Sequence, residues 1–340
     1  MPNFLLQRLF WALVTIVFVI SLNFFLFRVM GDPTRLLKDP RMSQASVEAM
    51  RVRFGLDKPV INCFESLNPL RFTAESCLIN PLKTQFAAYV GNLFKGDLGI
   101  SFHSQRPVAS ILRERLWNTL LLIGVGQVLA IFVGVILGIL AAWKVGSVID
   151  YGVLMTSLAL WSLPTFWLGM ILVFLGSQYL GLPLSGKETI GLRLEGWAYY
   201  KDVLRHMFLP TLTFSLVFLG EYMLIMRSSL LETLSEDYIL TAKAKGLSVW
   251  QILKDHAVRN AMLPIVTIIA LNLGFTVAGA VYIEQVFSWP GLGLTIYEAV
   301  GQRDFPLLQG AFLLLAFSVI IANLFADLLY SYLDPRVRLS

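Results

Sequence analysis

Residues 119–143 read TLLLIGVGQVLAIFVGVILGILAAW, a run without one charged side chain. An α-helix rises 1.5 Å per residue, so about 20 apolar residues cross a hydrocarbon layer of about 30 Å, and this run is long enough. Working outward, comparable stretches occur at 9–29, 151–180, 209–230, 263–283 and 309–333. A chain in lipid must satisfy its backbone groups internally, and segments of this length do so as helices. The expected fold is an all-α membrane protein with six transmembrane helices. Composition agrees: of 340 residues, 56% are hydrophobic and 14% charged, roughly half the charged share of a soluble domain.

The first stretch follows a single basic residue, Arg8, exceeds a signal-peptide core in length and lacks a small-residue cleavage site after it, so it reads as a retained helix. An even number of spans puts both termini on one side. Arg8, Lys144, Arg227, Lys243, Lys245, Lys254, Arg259, Arg336 and Arg338 share that side, against Lys187, Arg193, Lys201, Arg205 and Arg303 in the short loops opposite. The positive-inside rule then places both termini in the cytoplasm. The net charge of +5 follows from this bias and from contact with anionic lipid, and no basic run interleaved with aromatics points to nucleic acid.

Three regions follow: a tail and first helix at 1–30, an extracytoplasmic loop subdomain at 31–107, and a core of the remaining helices at 108–340. The subdomain opens on Gly31-Asp32-Pro33, has a polar, helical stretch near 43–54 and turn signals at Asn68-Pro69 and Asn80-Pro81, and returns through Phe94-Lys95-Gly96-Asp97-Leu98-Gly99. Cys63 and Cys77 both lie in it, on the side where disulfides persist. A bridge would close a loop of about 15 residues and contribute roughly 3 kcal/mol of local order; two free thiols are the alternative. Val108, Ile111, Leu112 and Leu116 against Arg113, Glu114 and Arg115 read as an interfacial helix before the second span. Gly134 and Gly138 permit close helix contact, and Pro164 and Pro210 kink or begin helices.

One polar loop, residues 231–262, interrupts the core. It reads EDYILTAKAKGLSVWQILKDHAVRNAMLP over 236–264. Thr233 or Ser235 can cap a first helix with Glu236 and Asp237 in its first turn, Leu234, Tyr238, Ala242 and Lys245 share a face, and Gly246 can take a left-handed C-terminal cap. Ser248 and Gln251 fit a capping box for a second, amphipathic helix striped by Val249, Ile252, Leu253 and Ala257.

Catalytic patterns are missing. Gly181-Leu182-Pro183-Leu184-Ser185-Gly186-Lys187 imitates a phosphate-binding loop, but Glu188 stands where a hydroxyl must meet magnesium. His103, His206 and His256 lack neighbours at metal-ligand spacing. Gln127, Glu221 and Asn272 are the polar groups within spans that could line a pathway; Glu221, six residues before Arg227, is expected to snorkel toward the interface unless it has a function there. The expectation is no catalytic, metal or cofactor site in this chain.

The segment Asp237-Tyr238-Ile239 with Thr241-Ala242-Lys243-Ala244-Lys245-Gly246-Leu247-Ser248 and Arg259-Asn260-Ala261-Met262-Leu263-Pro264 resembles the coupling loop of ABC-importer permeases of the dipeptide/oligopeptide/nickel branch. Gly55-Leu56-Asp57-Lys58-Pro59, Gly96-Asp97-Leu98-Gly99, Glu284-Gln285-Val286-Phe287-Ser288-Trp289-Pro290-Gly291-Leu292-Gly293 and Asp334-Pro335-Arg336 are similar to the branch's other signatures, in order. The chain departs from it in three places. Leu240-Thr241-Ala242 stands where the wider superfamily has Glu-Ala-Ala, Leu294 stands where a basic residue is common, and residues 61–80 are an insertion that carries both cysteines.

The resemblance implies a type I importer permease fold in a bacterial inner membrane. It also implies a homologous second permease as heterodimer partner, two cytoplasmic subunits that bind ATP and Mg2+, and an extracytoplasmic solute-binding protein. Contacts to the ATPase would fall on Tyr238, Thr241, Ala242, Lys245, Gly246, Leu247 and Arg259. The implied cargo is peptide, with nickel chelates, glutathione or small glycans as rivals; the alternative class is a secondary transporter. The insertion, a surface excursion without a core, is where a staple helps most. A thiol reagent should label Cys63 and Cys77 only after reduction, and equal labelling in both states would rule the bridge out.

Overall fold

The computed structural model describes residues 2–29, 84–279 and 281–333. Cys63, Cys77, the insertion 61–80, the helix expected near 43–54 and the Asp334-Pro335-Arg336 signature lie outside the described residues. The described helices, in chain order, are α1 (Pro2–Val29), α2 (Gln85–Phe94), α3 (Val108–Trp143), α4 (Val148–Ser162), α5 (Thr165–Leu180), α6 (Gly196–Leu234) and α7 (Asp237–Ala244). After them come a short turn α8 (Val249–Gln251), a π-helical segment (Ile252–Ala257), α9 (Val258–Gly279), α10 (Val281–Val286), α11 (Leu292–Gln302) and α12 (Phe305–Leu333).

Four of these helices are long and apolar enough to cross a membrane, and the bent pair α4 and α5 makes a fifth if it counts as one span. α9 covers most of the remaining expected stretch. Large side chains such as Phe132, Phe174 and Ile321 lie exposed, as lipid-facing residues do.

Three sequence expectations change. The interfacial helix expected at 108–116 is the first part of the 36-residue α3, because nothing between it and the span breaks the hydrogen-bond ladder. The stretch 151–180 is two helices bent by 104° at Leu163-Pro164: the residue before a proline prefers extended backbone, and Leu163 has φ −78, ψ 131. Pro210, expected to kink or begin a helix, sits inside the 39-residue α6, which starts upstream at Gly196.

The chain divides into two compact units. One comprises 115–295 with short terminal pieces, the other 6–114 with 296–317. In the first, α3 and α6 meet along glycines: a Cβ on Gly126 would lie 2.7 Å from Phe214, one on Gly134 2.7 Å from Tyr222 Cβ, and one on Gly138 2.7 Å from Met226 Cβ and 2.8 Å from the Met223 carbonyl oxygen. Gly134 and Gly138 thus make the close contact their spacing permits. On another side of α6, Gly220 lies against the Ser157 backbone of α4. Below this seam a core of Met226, Leu230, Ile239, Ala242, Ile252, Leu253, Ala257, Ala261 and Ile265 joins α6, α7, the π segment and α9.

In the second unit, Thr84 caps α2 by accepting from Ala87 N–H (3.1 Å). Phe24 of α1 packs on Phe86 and Tyr89 of α2. Asp304, fully buried, caps α12 through Leu307 N–H (3.3 Å) and accepts from Ser101 Oγ (2.5 Å), Phe102 N–H (3.0 Å) and His103 N–H (3.2 Å). One carboxylate therefore fastens residues 101–103, just after the Gly-Asp-Leu-Gly stretch, to a helix end.

Gly138→Leu should lower thermal stability in detergent by about 1–3 kcal/mol, since backbone as well as side chain must move to admit it. Gly124→Ala, whose Cβ would meet nothing within 4 Å, should leave the melting temperature unchanged.

Candidate functional site

The polar loop after α6 is built from its own capping chemistry. Thr233 and Ser235 do not cap α7: their hydroxyls bond back to the carbonyls of Ser229 (2.8 Å) and Glu232 (2.6 Å), so they close α6, and the N-cap is Glu236 without a side-chain bond. The other end follows the sequence. Gly246 takes φ +78, its N–H donates to Lys243 O (3.0 Å), and Leu247 N–H donates to Ala242 O (3.4 Å), the paired bonds of a Schellman cap. Ser248 and Gln251 form the expected capping box.

α7 is held by one face and free on the other. Ile239 and Ala242, at 0% and 6% exposure, enter the core on Ile252 and Leu253. Tyr238, Leu240, Thr241, Lys243, Lys245 and Gly246 point outward, Leu247 is half-buried and Arg259 is exposed. Ala242, expected among the outward contacts, lies instead in the core, and Leu240, 68% exposed, lies on the outer surface. Sequence reasoning passed over Leu240, although a residue next to Ile239 on a 3.6-residue helix cannot share its face. Tyr238 is fixed by Asn260, whose Nδ2 donates to the phenol oxygen (2.8 Å). The second helix is not a separate surface element: through the π segment it runs into α9, and Val249 of the expected stripe is exposed.

Two contacts, one from α6 and one from this loop, reach the start of α4 and the end of α3. Asp150, buried near the start of α4, accepts from Arg227 of α6 through Nε (2.5 Å) and a terminal nitrogen (2.9 Å), and from Gly146 N–H (2.9 Å). Trp143, at the end of α3, lies 6.0 Å from Trp250 of α8, centroid to centroid. Sequence reasoning missed the ion pair. The available signal was Ser147-Val148-Ile149-Asp150, the spacing of a cap followed by its acid, and Ser147 Oγ does accept from Asp150 N–H (3.4 Å).

The three pathway candidates come together inside the helix bundle. Gln127 of α3 donates to the Tyr222 hydroxyl of α6. Asn272 of α9 donates to that hydroxyl (3.4 Å) and to Glu221 Oε2 (3.1 Å). Glu221 thus engages a neighbouring helix and is half-buried, where snorkelling was expected. Gln127 Oε1 is buried and has no partner among the described residues. Glu221, Leu224 and Ser228, at helical spacing, form the less buried face of α6.

The segment after α9 is a polar knot. Glu284, at 0% exposure, accepts from Thr119 Oγ1 (2.5 Å) and Leu294 N–H (2.9 Å), while Thr119 Oγ1 accepts from Leu292 N–H (2.7 Å). Asn118 donates to Pro290 O (2.8 Å), and its carbonyl accepts from Trp289 Nε1 (3.0 Å). Gly291 packs on the Glu284 carboxylate with no room for a Cβ. The loop that imitates a phosphate cradle braces this knot. Lys187 donates to Asn118 Oδ1 (2.9 Å) and Gly186 N–H to Phe287 O (2.8 Å). Among the described residues no three His, Cys, Asp or Glu side chains gather as a metal site.

A family model described as "Binding-protein-dependent transport system inner membrane component" matches residues 134–339, and the model of its N-terminal region matches residues 1–123. The chain belongs to this permease family. It is 35% identical to the dipeptide transport system permease protein DppB of Escherichia coli K12, over 99% of both chains. It is also 35% identical to the di/tripeptide transport system permease protein DppB of Pseudomonas aeruginosa, over 99% of both. With the oligopeptide transport system permease protein AppB of Bacillus subtilis it shares 32% identity over 99% of this chain and all of that one.

The N-terminal match ends and the other begins within the permease's α3, which carries Asn118 and Thr119 toward the knot at one end and Trp143 toward the polar loop at the other. Thr119→Val removes a donor to Glu284 and orphans Leu292 N–H, so it should destabilise the purified permease by about 1–3 kcal/mol. Thr119→Ser should retain wild-type thermal stability.

Proposed function

We propose that this permease forms half of a pathway for peptides across a bacterial inner membrane, in a complex with a second permease, two ATPase subunits and an extracytoplasmic binding protein. Peptide cargo is supported by the relatives, which are named for transport of dipeptides, di/tripeptides and oligopeptides. The carrying observation is α7. Its inner face is locked by Ile239 and Ala242, and its outer face offers Tyr238, Leu240, Thr241 and Lys245 to a partner. A helix free to rock on lipid would transmit nothing, whereas one packed into the core passes displacement to α6 and α9.

In this reading both termini and α7 are cytoplasmic, ATP and Mg2+ belong to the ATPases, and the permease does no covalent chemistry. ATP closes the ATPase pair, the coupling helices of the two permeases move together, and the pathway opens outward to receive solute. Glu221 supports a place for the pathway. A carboxylate facing lipid at membrane depth is costly, so the half-buried face of α6 carrying Glu221 and Ser228 turns toward water or the second permease.

Reconstitution of the whole complex tests this. The ATPases should co-purify with the permease, ATP should drive peptide into proteoliposomes, and Gly246→Val, strained at φ +78, should lower peptide delivered per ATP. A permease that purifies without ATPase, or moves solute without ATP, would overturn the proposal.

A further inference from the structure

The coupling helix is entered from α6 and left through α8, and each flank is tied to the same connection between α3 and α4. Leu234 ends α6 and Asp237 begins α7, so only Ser235 and Glu236 separate them. Two turns upstream, about 10 Å along the axis, Arg227 grips Asp150 with two nitrogens, and Asp150 also holds Gly146 N–H. On the far flank Trp250 meets Trp143, the last residue of α3. Residues 144–147, which join α3 to α4, are thus bracketed by Trp143 and Asp150, each held by one flank of α7.

We infer that this turn, clamped by Asp150 and Arg227, is a second transmission element that carries displacement of the coupling helix into α3 and α4. The inference rests on the coupling role proposed for α7. The chemistry of the clamp favours it. Apolar contacts slide, but a guanidinium fork on a carboxylate fixes distance and direction together. Taking two charges out of water is poorly repaid in stability, and well-packed apolar residues can replace such a pair without loss. Stability alone therefore does not account for a charged pair here, where Asp150 is 2% exposed.

The surroundings leave no slack. At the level of Arg227, α3 lies so close to α6 that a Cβ added to Gly138 would stand 3.2 Å from the Arg227 backbone nitrogen. At Gly220, α6 sits against the α4 backbone. With α3 and α4 both seated on α6, a push on α7 that shifts the end of α6 moves the turn as a solid piece. Asp150 and Arg227 are positioning residues, since neither lies on the outer face of α7 nor among the pathway candidates.

The test uses the whole complex in proteoliposomes with its binding protein and a dipeptide that the binding protein retains. Asp150→Leu combined with Arg227→Met keeps volume and removes both charges. The expected result is normal assembly, normal melting temperature, an ATPase rate within twofold of wild type and about a tenfold fall in peptide delivered per ATP. Arg227→Lys, which keeps the charge and loses the fork, should fall between. Wild-type delivery by the double variant would overturn the inference, because the pair would then only fill space. Failure of the double variant to assemble would overturn it too, by making the pair a requirement for folding. Gly246→Val in the same assay separates the two ideas: if it leaves coupling intact, the role of α7 itself fails, and if it uncouples while the double variant does not, only the turn is wrong.

Discussion

In the hydrocarbon layer a helix gains nothing by exchanging lipid tails for leucine side chains, so what holds these helices together must be close backbone approach and the few polar bonds that lipid cannot offer. The α3–α6 seam meets that requirement. Gly126, Gly134 and Gly138 let the two longest described helices touch with almost no side chain between them. Three further elements of that unit seat on α6: α4 through Gly220, the polar loop through Leu230 and Met226, and α9 through Ser229, whose hydroxyl donates to Ala261 O (3.0 Å).

Polar groups then select among the ways such helices could pack. Glu284 with Thr119 and Asp304 with Ser101 are each buried carboxylates whose donors come from distant parts of the chain. A wrong register would strand a charge in apolar surroundings, which costs more than any apolar mismatch. These bonds fix which arrangement forms, and the apolar contacts make it dense.

Much of this was legible in the sequence. Apolar run length located the four long apolar helices α1, α3, α6 and α12, out of six stretches expected to span, and local capping chemistry announced the Gly246 turn and the Ser248 box, because these depend on residues within one helical turn of each other. What was not legible depended on partners far away in the chain. Nothing near Thr233 or Ser235 says that their hydroxyls turn back into α6, and nothing near Glu221 says that Asn272 will meet it. The break at Pro164 was visible as a residue type but not as an angle of 104°. The inward turn of Ala242 was hidden because a small residue carries little hydrophobic signal of its own.

The π segment Ile252–Ala257 adds a geometric constraint that no side chain supplies. A π turn is an α-helix holding one residue too many, so it advances the phase of everything before it by about 100° relative to everything after. Trp250 and Val249 can therefore face outward toward Trp143 and solvent while Ile252 and Leu253, in what is nearly the same helix, face the core. The loop end and the span end of this rod are indexed to each other like two gears keyed on one shaft. The side chains of the loop end and those of the span end, Asn272 among them, keep an angular offset that is set by a count of residues and not by their chemistry.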